Sequence, residues 1–208
     1  MQNKCPLILF EFHFLFQLMT IAQKFIDKNI EYKDYDFKRR KLQRSEFLDK
    51  KTATKNLLLM NSIFKEKNLK FTLLFGTLLG AVREQDFINY DTDTDIGIFE
   101  EDREKLLQII PIILENGFSI IRTKEPDDLV TFMKDDEYID VGIFRLIKRK
   151  LKEYYTYQGH LIPRAFLDDL DKIEFVGKEF NVPKNKELYL TKTYGSGWKT
   201  PRKNEPAL

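Results

Sequence analysis

An α/β chain of the mixed, α+β kind is the fold class that this sequence predicts, on three observations. Apolar residues recur at helical spacing in two long stretches, short runs rich in β-branched and aromatic residues fall between turn signals, and the two kinds are interspersed along the chain. With 208 residues, 42% of them hydrophobic, the chain can bury one sizeable core.

The elements follow in order. Leu7 to Ala22 is rich in Leu, Phe and Ile but is interrupted by Glu11, His13 and Gln17. It is shorter than the roughly 20 apolar residues of a spanning helix. It lacks the positive start and small-residue cleavage site of a signal peptide, so it reads as a buried or interfacial segment, or as a face for peripheral contact with a membrane or partner. The charged stretch Lys24 to Lys51 marks a boundary, with 1–51 an accessory segment and 52–208 the main domain. Ala53 to Lys67 carries Leu57, Leu58, Met60 and Phe64 at the spacing of an amphipathic helix, closed by Asn68. Lys70 to Phe75 is a predicted strand, Gly76 and Thr77 the turn, and a second helix starts at about Leu78. Asp91 to Ile98 is a predicted extended segment. Glu101 to Glu115 is a predicted helix, broken or kinked at Pro111 because proline has no N–H for the ladder. Gly117 stops it. Strands are then expected over Phe118 to Arg122, Leu129 to Met133 and Glu137 to Phe144, two more around Gly177, and a helix over Asn185 to Thr193. The closing loop, Tyr194 to Pro201, carries Trp198 as an aromatic anchor or lid.

The chemistry concentrates between Gly76 and Asp140. In an extended segment alternate side chains share a face, so Asp91, Asp93 and Asp95 project together while Ile96 and Ile98 turn into a core. Three crowded carboxylates are unfavourable unless a cation neutralises them or one takes a proton. The chain has only two histidines and one cysteine, so hard oxygen ligands dominate and Mg²⁺ or Mn²⁺ is the expected ion. Asp140 is the one carboxylate inside its apolar run, where a charge is costly unless it joins that cation or a hydrogen-bonding network; the bland alternative is an edge strand with Asp140 facing water. The strand-to-helix turn at Gly76 and Thr77 leaves free N–H groups suited to phosphate.

A net charge of +2 does not by itself point to nucleic acid, and none is expected as a partner. Lys38-Arg39-Arg40-Lys41 and Lys148-Arg149-Lys150 read as solvated faces or as contacts for an anionic glycan or membrane. The lone Cys5 excludes an internal disulfide and fits a reducing compartment.

Gly76-Thr77-Leu78-Leu79-Gly80-Ala81-Val82-Arg83, then Phe87-Ile88, then Tyr90-Asp91-Thr92-Asp93-Thr94-Asp95-Ile96, resemble the signature of the LicD/fukutin-type phosphotransferases. These form a branch of the polymerase-beta-like nucleotidyltransferase superfamily. Order, spacing and the intervening Arg83 make the match specific, and it covers about Thr52 to Pro201. Tyr90, Thr92 and Ser196 depart from the family pattern, which usually has tryptophan, aspartate and an acidic residue there. The resemblance implies a nucleotidyltransferase-like mixed β-sheet flanked by helices. It also implies transfer of a phosphorylated group, such as phosphocholine or ribitol phosphate, from a CDP-activated donor to a hydroxyl of a cell-surface glycan. Carried over by position, Asp93, Asp95 and Asp140 are the catalytic and metal-binding carboxylates, and Asp91 is a supporting metal residue. Gly76 and Thr77 would hold the diphosphate through backbone N–H groups and the Thr77 hydroxyl. Arg83 would contact a phosphate or offset the acidic strand. Because CDP-activated donors are cytosolic, the resemblance implies a cytoplasmic site, at the inner face of the membrane if the protein contacts one. It leaves the oligomeric state open.

Three other readings compete. Nucleotidyl transfer from an NTP, with release of pyrophosphate, needs the same ions and cradle. A calcium-binding loop fits Asp91, Asp93 and Asp95 at positions one, three and five, but Ile96 replaces the glycine at six and Asp102 the glutamate at twelve. A catalytically silent binding module has no use for three mutually repelling carboxylates.

Overall fold

In the computed structural model of the protein, residues 47–124, 129–157 and 159–201 are described. The apolar stretch Leu7 to Ala22, the basic run Lys38 to Lys41 and most of the 1–51 segment lie outside them. Helix α1 spans Lys50–Glu66, so it starts two residues ahead of residue 52. Asp49 caps it, its side chain accepting from the Thr52 N–H at 2.8 Å. Of the stripe that helical spacing predicts, Leu57, Met60 and Phe64 are buried, together with Ala53 and Ile63, while Leu58 is half-buried against the core. Asn68, at φ 52°, takes the left-handed conformation in which asparagine is tolerated just past a helix end.

One sheet runs through the molecule. Strands β1 (Thr72–Leu73), β2 (Thr94–Phe99), β3 (Ser119–Lys124), β4 (Leu129–Lys134) and β5 (Glu137–Arg149) lie in the order β1-β2-β5-β4-β3. All pairs are antiparallel except β2 with β5, which run parallel. Strand β5 is 13 residues long and changes partners along its length. Its first half pairs with β2 and β4, and its second with β6 (Lys152–Tyr157), which in turn pairs with β7 (His160–Pro163). The β6 and β7 strands are absent from the pattern reading, because charged Lys152 and Glu153 and the short four-residue β7 mask the alternation that buries Tyr155, Tyr157 and Ile162. Strands β8 (Asp171–Phe175) and β9 (Lys178–Val182) form a separate hairpin, as the runs around Gly177 predict.

Two helices depart from expectation. Helix α2 spans Phe75–Arg83 and starts three residues before Leu78, placing Gly76 and Thr77 in its first turn. The cause is Leu74, which is extended and whose carbonyl accepts from the Leu78 N–H at 2.8 Å, closing that turn. Helix α3, Arg103–Glu115, continues through Pro111 unbroken. Burial of Leu106, Leu107, Ile109, Ile110 and Ile113 along one side holds the helix despite the missing N–H. Helix α4, Lys186–Tyr194, precedes the Trp198 loop.

The helices and the hairpin share one apolar core with the sheet. On the face of β2 and β5 that carries Asp95 and Asp140, the next positions are Gly97 and Gly142, in register with each other. A Cβ on Gly97 would lie 2.5 Å from the Phe144 ring, and one on Gly142 would lie 2.6 Å from the Tyr157 ring. Glycine at both positions lets aromatic rings seal the sheet surface directly behind the carboxylates.

Candidate active site

Parallel pairing decides the centre of the site. Asp95 in β2 and Asp140 in β5 are direct register partners, so their side chains leave the same face of adjacent strands. Asp93 joins them from the segment just before β2. Each of the three offers a carboxylate oxygen, and these oxygens all lie within 4.8 Å of one another. Asp140 is 6% exposed, and its Oδ1 accepts from the Thr131 hydroxyl at 2.6 Å. Thr131 faces Asp140 across the β4–β5 pair. The structure thus seats Asp140 on an interior strand with the other two, not on an edge facing water.

The extended run expected from Asp91 begins only at Thr94. Asp91 therefore leaves the converging set and packs against the start of α2, where a Cβ on Gly76 would fall 2.3 Å from Asp91 Oδ2. Gly76 is what allows that approach. Asp91 Oδ1 accepts from the Thr92 N–H at 3.1 Å, while its Oδ2 is buried without a hydrogen-bond partner among the described residues. Burial, reinforced by the Asp93 charge, pushes the Asp91 carboxyl up to about 7.

The first-turn N–H groups of α2 have no acceptor within the helix, and no side chain caps them. The Thr77 hydroxyl is turned inward. Thr77 is fully buried and its Oγ1 accepts from the Asp95 N–H at 2.9 Å, tying the helix start to the acidic strand. The hydroxyl that sequence assigns to a diphosphate is therefore engaged inside the protein.

Arg83 lies at the other end of α2 with its side chain 8% exposed. Its Nη2 donates to Glu84 Oε1 at 2.6 Å and to the Tyr90 hydroxyl at 3.3 Å, and its Nη1 donates to the Trp198 carbonyl at 3.1 Å. These contacts join the helix, the turn before the acidic strand and the closing loop. Trp198 is buried, its indole N–H donating to Thr191 Oγ1 at 3.0 Å, so it serves as an anchor. Tyr189 and Tyr194 of α4 are drawn in beside the acidic residues. Burial raises both phenols, and the negative charge of Asp95 raises them further.

Three hard oxygen donors converging at one point fit a divalent cation. The unpartnered Asp91 Oδ2 is an acceptor that a cation or a hydrogen-bond donor would satisfy. Sequence reasoning missed Thr131, although it is the one polar residue in Leu129-Val-Thr-Phe-Met133 and its place opposite Asp140 follows from a β4–β5 hairpin.

The chain is 31% identical over 111 residues to an uncharacterized protein of Rickettsia prowazekii, covering 50% of this chain and 41% of that protein. It is 26% identical over 157 residues to the human ribitol 5-phosphate transferase FKRP, covering 70% of this chain and 32% of that protein. The chain thus spans less than half the length of these curated relatives. Among solved structures, the lincosamide antibiotic adenylyltransferase LnuA with lincomycin bound aligns at a TM-score of 0.47 and 11% identity, covering 65% of this chain and 83% of that one. Residues 68–185, which carry the helix start, the acidic strand and Asp140, match the LicD/FKTN/FKRP nucleotidyltransferase domain. The chain belongs to the LicD/FKTN/FKRP family.

Proposed function

We propose that this chain is a metal-dependent phosphotransferase that moves a phosphorylated group, of the ribitol phosphate or phosphocholine kind, from a CDP-activated donor to a hydroxyl of a glycan. The observation that carries the reading is the convergence of Asp93, Asp95 and Asp140 beside an uncapped helix start. Family membership and the likeness to the human ribitol 5-phosphate transferase support it.

Asp93, Asp95 and Asp140 would hold Mg²⁺ or Mn²⁺, with Asp91 in support at the helix start. The ion, when bound, supplies Lewis-acid polarisation of phosphoryl oxygens. The backbone N–H groups of Gly76 and Thr77 bind the donor's diphosphate at the positive end of the helix dipole. The acceptor hydroxyl oxygen forms a bond to the donor's outer phosphorus. The bond from that phosphorus to the bridging oxygen breaks, and CMP departs with the electron pair. The hydroxyl proton passes to a carboxylate of the cluster, Asp140 in this proposal. Arg83 acts as a positioning residue, fixing the Tyr90 turn and the Trp198 loop around the helix start. The same cluster serves nucleotidyl transfer if an NTP occupies the cradle, and the products tell the two apart. Phosphorus NMR of the protein with diamagnetic Mg²⁺, a glycan acceptor and either CDP-ribitol, CDP-glycerol, CDP-choline or an NTP reads this directly. Metal-dependent release of CMP that Asp93→Asn abolishes supports the proposal, whereas pyrophosphate release from an NTP contradicts it.

A further inference from the structure

Phe75 has a backbone that its side chain disfavours. It opens α2 at φ 38°, in the left-handed region that bulky residues adopt only where the surroundings hold them there. Its half-buried ring lies 5.4 Å from the His160 imidazole and 6.0 Å from the Tyr157 ring, centroid to centroid. Beyond it opens a cavity of about 330 Å³ lined by Phe75, His160, Phe166, Tyr189, Lys192 and Thr193, among others. Such a volume is at the small end of small-molecule sites.

The cavity adjoins the cradle. Phe75, which lines it, directly precedes Gly76 in the first turn of α2. We infer that this cavity seats the nucleobase of a nucleoside diphosphate donor, an inference that rests on the donor reading above. A diphosphate held on the first-turn N–H groups of α2 places the nucleoside about one ribose away, and on the Phe75 side the wall is aromatic. A base offers a flat π-face to such a ring, whereas a polyol acceptor would need several hydrogen-bond partners in a space lined chiefly by rings and by Ile162 and Pro163. The rim supplies the few polar groups that fix orientation. His160 presents ring nitrogens, Thr193 a hydroxyl oxygen that can accept while its proton goes to the Tyr189 carbonyl at 3.0 Å, and Lys192 an ammonium 5.9 Å from the Phe166 centroid that suits a phosphate or ribose oxygen.

The chain contains only one other histidine, His13, so the His160 ring proton is a resolvable NMR reporter, assigned by comparison with a His160→Gln variant. CMP would be titrated in EDTA, with ribose 5-phosphate as the control lacking a base. The expected result is a saturable shift of the His160 signal by CMP and none by ribose 5-phosphate at equal concentration. His160→Ala and Lys192→Ala should each weaken CMP binding by about tenfold, the loss of one stacking or charge-assisted contact. Calorimetric binding of CMP that leaves the His160 signal unmoved would overturn the inference, as would equal shifts by both ligands or no response to either. Because the titration needs neither metal nor turnover, absence of phosphotransfer would sink the proposed activity and leave this result standing.

Discussion

Replacing Asp140 with asparagine should stabilise the metal-free protein and abolish its response to divalent cations. Its carboxylate lies with those of Asp93 and Asp95 in a set whose oxygens are within 4.8 Å of one another. Two unit charges at that separation repel by about 3–4 kcal/mol at an effective dielectric of 20. Asp93 and Asp95 are partly exposed, so water screens each pair to about 1 kcal/mol. Asparagine keeps the shape and its amide oxygen can still accept from the Thr131 hydroxyl, which now bonds Asp140 at 2.6 Å. Removing two repulsive pairs therefore stabilises the apo protein by about 1–3 kcal/mol, or roughly 3–10 °C in Tm for a domain of this size. Thermal unfolding in EDTA and in Mn²⁺ measures both effects. Mn²⁺ at about 100 times its Kd should stabilise the wild type by about 2.7 kcal/mol and leave Asp140→Asn unchanged. A variant that melts below the wild type in EDTA would refute the reasoning, because Asp140 would then be a structural group whose charge-assisted bond to Thr131 outweighs the repulsion. Equal stabilisation of both proteins by Mn²⁺ would refute the assignment of the cluster to the ion.

Thr131→Val removes the donor to Asp140 while preserving shape, and should weaken Mn²⁺ binding about 10–100-fold, read by the free Mn²⁺ signal in electron paramagnetic resonance. Gly76→Ala drives a methyl into Asp91 Oδ2, 2.3 Å from where its Cβ would stand, and should cost about 1–3 kcal/mol of stability in a denaturant melt. It should also lose metal-dependent donor binding, which a purely structural glycine would retain. Arg83→Lys cannot bridge Glu84, Tyr90 and the Trp198 carbonyl together. As Trp198 is the only tryptophan, its fluorescence should shift to the red as the closing loop loosens, with unchanged emission arguing against that anchoring. Gly97→Ala, with Phe144 at 2.5 Å and Leu74 at 2.7 Å from the new Cβ, should destabilise by about 1–3 kcal/mol from overpacking.

Much of the fold was legible where a local period dominates. The stripe of α1 and the apolar runs of β4 and the first half of β5 declare themselves within one window, because each buries one continuous set of residues. The carboxylate spacing likewise pointed to Asp93 and Asp95. What places Asp140 beside them is a parallel pairing across 45 residues, which no local pattern contains; there the family resemblance supplied what periodicity did not. Asp91 fell differently because the strand starts at Thr94, and its packing on Gly76 depends on the helix beginning at Phe75. The inward hydroxyl of Thr77, the three-way contacts of Arg83 and the cavity beside Phe75 are tertiary facts. They come from segments such as Trp198 and His160 that lie far along the chain and carry no signal of where they dock.

Calorimetric titration of the protein with CDP-ribitol, CDP-glycerol and CDP-choline in Mn²⁺, beside the four NTPs and beside an Asp93→Ala, Asp95→Ala double variant, tests the central claim most directly. The account predicts binding of at least one CDP conjugate that requires Mn²⁺ and disappears in the double variant. Preferential binding of an NTP, or binding of a CDP conjugate that survives loss of both carboxylates, would contradict it.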